Sequence, residues 1–149
     1  MFNIKEIWKP IRNYEGLYEV STFGRIKSVE RYVKSNNNNY RLQKECIRKT
    51  ALNNNGYVHV ILCKDGNYTT YNVHRLVAET FIPNPGCLPE VNHKDEDKEN
   101  NNVKNLEWVT HLNNIRHSTP TRLKNKLKEK RELQSMIDEI KQKRNISTI

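Results

Sequence analysis

Between residues 92 and 114 the chain gathers oxygen-bearing side chains around one imidazole. Asn92, His93, Lys94 and Asp95 come first, then Asn100, Asn101 and Asn102, then Asn105-Leu106-Glu107-Trp108-Val109-Thr110, and finally Asn113 and Asn114. Amide and carboxylate oxygens are the donors that a hard divalent cation accepts. A neutral imidazole takes up a proton near physiological pH, so His93 is the best-placed base for activating a water. An oxygen-lined cation site beside a base suits metal-assisted cleavage of a phosphodiester bond.

The same residues carry a resemblance. His93, Asn105 and Asn114 stand where HNH endonucleases of the phage homing type have the first histidine, the middle asparagine and the last residue of their motif. The string Asn-Leu-Glu-Trp-Val-Thr makes the likeness more specific than three letters alone. It extends upstream through Val73-His74-Arg75-Leu76-Val77-Ala78-Glu79-Thr80-Phe81. It reaches Trp8-Lys9-Pro10-Ile11 and Tyr14-Glu15-Gly16-Leu17-Tyr18-Glu19-Val20-Ser21, a stretch similar to the module that often precedes the nuclease core in such proteins.

The resemblance implies a ββα-metal (His-Me finger) core, in which two antiparallel strands and a helix surround one divalent ion, Mg2+ or Mn2+. By position, Asn92 and Asn114 become the metal ligands, His93 the general base, and Asn105 the residue that fixes the loop and so orients His93. Double-stranded DNA is the implied partner. The chain departs from a common form of the motif, in which an acidic or imidazole group stands at the positions of Asn92 and Asn114. Two neutral amides leave the ion's charge uncompensated, which predicts weak binding until a DNA phosphate completes the site. Asp95 or Asp97 as an added carboxylate, and Asn113 in place of Asn114, remain alternatives.

Adjacent strand residues point to opposite faces, so the strand carrying Asn92 and His93 must end or bulge there for both to address one phosphate. The bland alternative is a protein that keeps this fold and binds DNA without cutting it. The presence of both His93 and Asn105 disfavours it. RNA binding is disfavoured because no aromatic stacking motif of the usual RNA modules occurs.

The composition agrees with a polyanionic partner. In 149 residues, 26 Lys and Arg face 17 Asp and Glu, for a formal net charge of +9. A merely solvated basic surface is the alternative reading. Three widely spaced cysteines, Cys46, Cys63 and Cys87, have the pattern of neither a disulfide framework nor a four-cysteine zinc site. No apolar run nears the length of a membrane span and the N-terminus lacks a secretory apolar stretch. These features predict a soluble, intracellular protein, in the cytoplasm of a bacterial host if phage-encoded.

The elements that must position the site read as an α+β chain in three parts. Residues 1–50 form a strand-rich module expected to contact DNA. Two short strands, 17–21 and 25–29, flank Gly24, with Ile26 inward and Arg25 and Lys27 outward, where they would lie along a phosphate backbone. Residues 35–39 read as an asparagine-rich loop and 41–49 as a basic stretch without a clear period, both expected to be flexible. Residues 51–118 form the nuclease core. They open on a β-hairpin around Lys64-Asp65-Gly66-Asn67, followed by a short helix, Val73–Phe81, with His74 and Arg75 near its start. His74 is read first as a packing or capping residue and second as a support for the active site, and Arg75 as a DNA contact. His59, inside a strand, receives no catalytic role, and Trp108 is expected to fill the core.

Strands at 88–93 and Leu106–Val109 and a helix at 111–117 complete the core. Thr119-Pro120 is expected to break the helix. Residues 119–149 then form a charged helix, in which nine cations face four anions between Arg122 and Arg144. Its apolar seam, Leu123, Leu127, Leu133, Ile137 and Ile140, is thin, since Lys130 interrupts it. The helix could follow a DNA groove through residues such as Lys124 and Lys128, pair weakly with a second copy, or simply be solvated. The chain is accordingly a monomer or a weak dimer.

Overall fold

In a computed structural model, residues 5–34 and 39–146 are described, except for the side chains at 118–122, 124 and 141–146. The loop expected at 35–39 therefore lies largely outside the described residues. Among the described residues no helix is long and apolar enough to cross a membrane.

Among the described residues, eleven strands and two α-helices follow in order, with a 3-10 turn at Val103–Asn105. They are β1 (Trp8–Pro10), β2 (Tyr18–Ser21), β3 (Ile26–Ser28), β4 (Arg31–Lys34), β5 (Tyr40–Gln43), β6 (Cys46–Ile47), β7 (Ala51–Leu52), β8 (Val58–Lys64), β9 (Asn67–Asn72), α1 (Val73–Phe81), β10 (Glu90–His93), β11 (Leu106–Val109) and α2 (His111–Ile146). Four small antiparallel sheets result, ordered β1-β2-β3-β6, β4-β5, β7-β8-β9 and β10-β11. The basic stretch at 41–49 is thus partly strand, which corrects the expectation of a flexible segment. β5 pairs with β4, and β6 with β3. Such pairings depend on distant partners and leave no period in two to four residues.

The β8–β9 hairpin turns at Asp65 and Gly66, whose φ angles of 50° and 79° are those of a type I′ turn. α1 presents Val73, His74, Leu76, Val77 and Ala78 inward and stops where Pro83 cannot continue it. β10 begins at Glu90, two residues later than expected. The Asn84 side chain both accepts from the Leu88 N–H (2.8 Å) and donates to the Leu88 carbonyl (2.9 Å), which takes Leu88 out of the sheet.

The chain divides into two compact units, Met1–Thr110 and His111–Ile149. In the first, Ile11, Tyr14, Tyr18, Val20 and Ile26 bury into the same core as Val60, Leu62, Val73, Leu76, Val77, Val91 and Leu106. The Tyr18 hydroxyl accepts from Cys63 N–H at 3.2 Å, which ties β2 to β8. The N-terminal strands are therefore part of the scaffold that carries the hairpin and α1.

In the second unit α2 runs unbroken from 111 to 146, so Thr119-Pro120 does not end the helix. An interior proline removes one hydrogen bond and costs about 3 kcal/mol, a local penalty. The Lys-, Glu-, Leu- and Arg-rich sequence that follows offsets it over many residues. Leu123, Leu127, Leu133 and Ile140 are each more than half exposed along this helix.

Candidate active site

The unbroken register of β10 with β11 sets the site. Val91 lies opposite Trp108, Asn92 opposite Glu107, and His93 opposite Leu106. The alternation turns Val91 and His93 toward the core and Asn92 to the other face. β10 then ends. Lys94 N–H donates to the Asn105 carbonyl at 2.9 Å, and Glu96 N–H turns back to the His93 carbonyl at 3.0 Å. Of the two expectations, ending or bulging, the strand ends. Trp108 is partly buried against the core, and its indole N–H donates to the Ile82 carbonyl at 3.1 Å, which pins β11 to the end of α1.

His93 is 4 % exposed. Its ring meets the edge of His74 at 5.1 Å between centroids, and Tyr57 closes the group at 4.9 Å from His74 and 6.0 Å from His93. Nε2 of His93 lies 3.2 Å from Oδ1 of Asn101, a residue itself buried. On the other face, Asn92 donates from Nδ2 to Oε1 of Glu107 at 2.9 Å. That bond turns the Asn92 amide oxygen away from Glu107 and leaves a second carboxylate oxygen beside it.

Asn105 ties the two ends of the loop together. Its Nδ2 donates to Asp95 Oδ1 and to the Asn100 carbonyl, both at 2.8 Å, and its Oδ1 accepts from Asp95 N–H at 3.2 Å. The Asp95 carboxylate also accepts from Asn100 Nδ2 (2.6 Å) and Asp97 N–H (2.9 Å). Hydrogen bonds from the Asn100 and Asn105 side chains hold its carboxyl below the ordinary range. Asp97 accepts from Glu99 N–H at 2.9 Å. Both acids are therefore engaged in shaping the loop.

The remaining candidates are placed as follows. Arg25 pairs with Glu6 and lies over the Trp8 ring. Lys27 pairs with Glu45 (3.0 Å) and Glu19 (3.1 Å) and also lies over Trp8. The cations expected along a phosphate backbone are thus neutralised within the protein as it stands. Arg75 donates to the Pro89 carbonyl at 2.8 Å, holding α1 to the segment that leads into β10. Lys128 lies 3.8 Å from Glu132 one turn on, with both side chains exposed. The side chain of Lys124 is outside the described residues. Asn113 and Asn114 occupy the first turn of α2, in the second unit. The cysteines are free thiols.

Two residues of the site escaped sequence reasoning. Glu107 was legible in principle, because pairing His93 with Leu106 places Glu107 beside Asn92. Asn101 was not, since nothing distinguishes the middle residue of Asn100-Asn101-Asn102 before the loop is folded.

Burial, then the neighbouring His93 and Arg75, pushes the His74 imidazole down from 6.5 to about 4. Among the described residues, its buried Nδ1 has no hydrogen-bond partner. The unfolded chain binds this proton below pH 6.5 while the folded protein refuses it until about 4. Stability therefore falls as the pH drops through that window, by an amount on the order of 3 kcal/mol. Urea midpoints at pH 7 and pH 4.5 should show this fall in the wild type and a smaller one in His74→Phe. Equal falls would remove His74 as the cause.

The donor set fits a hard divalent ion. Asn92 offers an amide oxygen and Glu107 a carboxylate oxygen. Among the described residues no group of three His, Cys, Asp or Glu forms a cage for a metal.

Comparison with known proteins finds relatives over most of this chain. Residues 6–63 match the NUMOD4 motif, and residues 71–116 match the HNH endonuclease model. An uncharacterised HNH endonuclease of Acanthamoeba polyphaga mimivirus is 38 % identical over 123 residues, covering 83 % of this chain and 33 % of its own. The DNA endonuclease I-HmuI of Bacillus phage SP01 is 35 % identical over 108 residues, covering 72 % of this chain and 55 % of its own. A structure of DNA binding and cleavage by the HNH homing endonuclease I-HmuI matches with a TM-score of 0.60 at 34 % identity, over 77 % of this chain and 59 % of that one. The chain thus spans between a third and three fifths of the length of these relatives. The strands of the His93 site and the side chain of Asn105 lie inside the matched HNH segment, and the chain carries a NUMOD4 motif ahead of an HNH segment homologous to phage and viral HNH endonucleases.

Proposed function

We propose that this chain is a metal-dependent DNA endonuclease that hydrolyses phosphodiester bonds in double-stranded DNA, a homing-type nickase or site-specific nuclease that cuts one strand at a time if it acts as a monomer. The observation that carries the reading is His93, held in one orientation at the end of β10 beside a loop that Asn105 locks. His93 takes the proton from a water directed at the scissile phosphorus. Asn105 keeps the loop, and through it the ring, from moving as the proton transfers. Asn92, oriented by Glu107, and by motif position Asn114, are the residues that would hold a divalent ion, Mg2+ or Mn2+, the alternatives being Asp95 or Asp97 as an added carboxylate and Asn113 in place of Asn114. When bound, that ion stabilises the negative charge that builds on the phosphate and the leaving oxygen.

The paired cations support a division of labour in DNA binding. Arg25 and Lys27 would exchange Glu6, Glu19 and Glu45 for phosphates on complex formation, whereas Lys124 and Lys128 add charge from α2. Arg75 contributes chiefly by holding α1 to Pro89. The protein would act inside the cell, in bacterial cytoplasm if phage-encoded.

The test is incubation of supercoiled plasmid, and of DNA from a candidate target locus, with Mg2+ or Mn2+ in the presence and absence of chelator. Relaxation that needs the metal is the expected result. DNA binding with no cutting on any substrate under either metal would point to an inert binder that has kept the fold.

A further inference from the structure

We propose that Asn101 is a positioning residue that sets the tautomer and orientation of His93, and that the Thr22–Gly24 turn of the N-terminal segment is the wall that seats Asn101. The inference rests on the nuclease reading above and assigns the N-terminal strands a part in the active site.

The tautomer follows from donors and acceptors. Asn101 Nδ2 lies 3.0 Å from the Glu99 carbonyl, which can only accept. The nitrogen end of the amide must face that carbonyl, and the oxygen end must face the ring, where Oδ1 lies 3.2 Å from His93 Nε2. An amide oxygen cannot donate, so Nε2 carries the imidazole proton. Nδ1 is then the nitrogen free to accept one. The reverse tautomer would set the Nε2 lone pair against the Asn101 oxygen, and both groups are buried.

The amide is held from behind. Gly24 has φ +80°, and a Cβ placed there would lie 2.6 Å from Asn101 Cβ and 3.0 Å from its carbonyl oxygen. No other residue type fits that approach without displacing Asn101. The turn is itself braced, because the buried Ser21 hydroxyl accepts from Phe23 N–H (3.2 Å) and Arg25 N–H (3.0 Å). Two residues beyond Asn101, Val103 N–H donates to the Thr22 carbonyl at 2.9 Å. The turn and the catalytic loop therefore meet at the residue that holds the base and again two residues beyond it.

The experiment reads the ring directly. Long-range proton–nitrogen correlation spectra of the metal-free, DNA-free full chain report which nitrogen of His93 is protonated. The wild type should show a single Nε2–H form. Asn101→Leu, which keeps the volume and loses the acceptor, should give a mixture of forms and lower kcat by about 10–100-fold with KM little changed. A wild type with the proton on Nδ1 overturns the proposal without any variant, and so does Asn101→Leu with the wild-type spectrum and kcat. An Asn101-dependent tautomer in a protein that never cuts DNA upholds the positioning role and sinks only the nuclease reading.

The wall is tested by a double-mutant cycle on thermal stability. Gly24→Ala should cost less in an Asn101→Gly background, which removes the closest of the atoms the new methyl would strike. Equal losses in both backgrounds overturn this part.

Discussion

Replacing His93 with alanine should lower metal-dependent DNA cleavage by about 10²–10⁴-fold, the range that a positioned general base supplies. The loss should fall in kcat, because the imidazole acts on the attacking water and makes no contact that ground-state DNA binding requires. Fluorescence anisotropy on an uncleaved duplex should accordingly show affinity within a few-fold of wild type. The ring is also buried against His74 and Tyr57, so its removal leaves a cavity. Some loss of thermal stability therefore accompanies the change, and a melt in parallel separates the two effects. Cleavage within about threefold of wild type, in a folded protein, would end the assignment of His93 as base.

Asn105→Ala should produce the next largest effect, a loss of about 100-fold in kcat, in the range seen when outer residues that hold a reactive site are removed. The substitution removes both donors to Asp95 and Asn100 and the acceptor for Asp95 N–H, leaving only the backbone bonds from Lys94 and to Asn102. The loop then loses the side chain that closes it on itself. Asp95 gives an independent readout. Hydrogen bonds from Asn100 and Asn105 hold its carboxyl below the ordinary value, so the contribution it makes is complete above that value and is lost as the pH falls through the lowered one. In Asn105→Ala the Asp95 titration, followed by carboxyl carbon shifts, should move back up toward 3.8, with the Asn100 bond opposing a full return. An unmoved titration together with unchanged kcat would show that the loop does not depend on this amide.

The two histidines illustrate how one environment yields different chemistry. His74 is buried without a partner on Nδ1 and is driven to the neutral form, whereas His93 is buried with an oxygen at Nε2. A neutral His74 adds no positive charge beside the base. His74 packs against the rings of Tyr57 and His93, and its effect on stability is the measurable one.

Much of the local structure was written in residue types and spacing. The Asp65-Gly66 turn, the α1 periodicity with Pro83 beyond it, and the Leu106–Val109 strand are all short-range matters of φ preference and burial pattern. So was the clamp of Asn105, since an amide that can donate and accept at once suits an irregular loop. What sequence could not supply was any feature set by partners far apart in the chain. The basic stretch at 41–49 has no period, yet β5 and β6 form because β4 and β3 offer edges. Arg25 and Lys27 read as free cations, and only folding brings Glu6, Glu19 and Glu45 to them. Proline at 120 reads as a break because a local rule says so, while a long run of helix formers outweighs one missing hydrogen bond. The same division governs the site. The identities of His93 and Asn105 are visible in the string, but the choice of Asn101 from three adjacent asparagines follows from where Gly24 leaves room for it, a contact across 77 positions of chain that only packing decides.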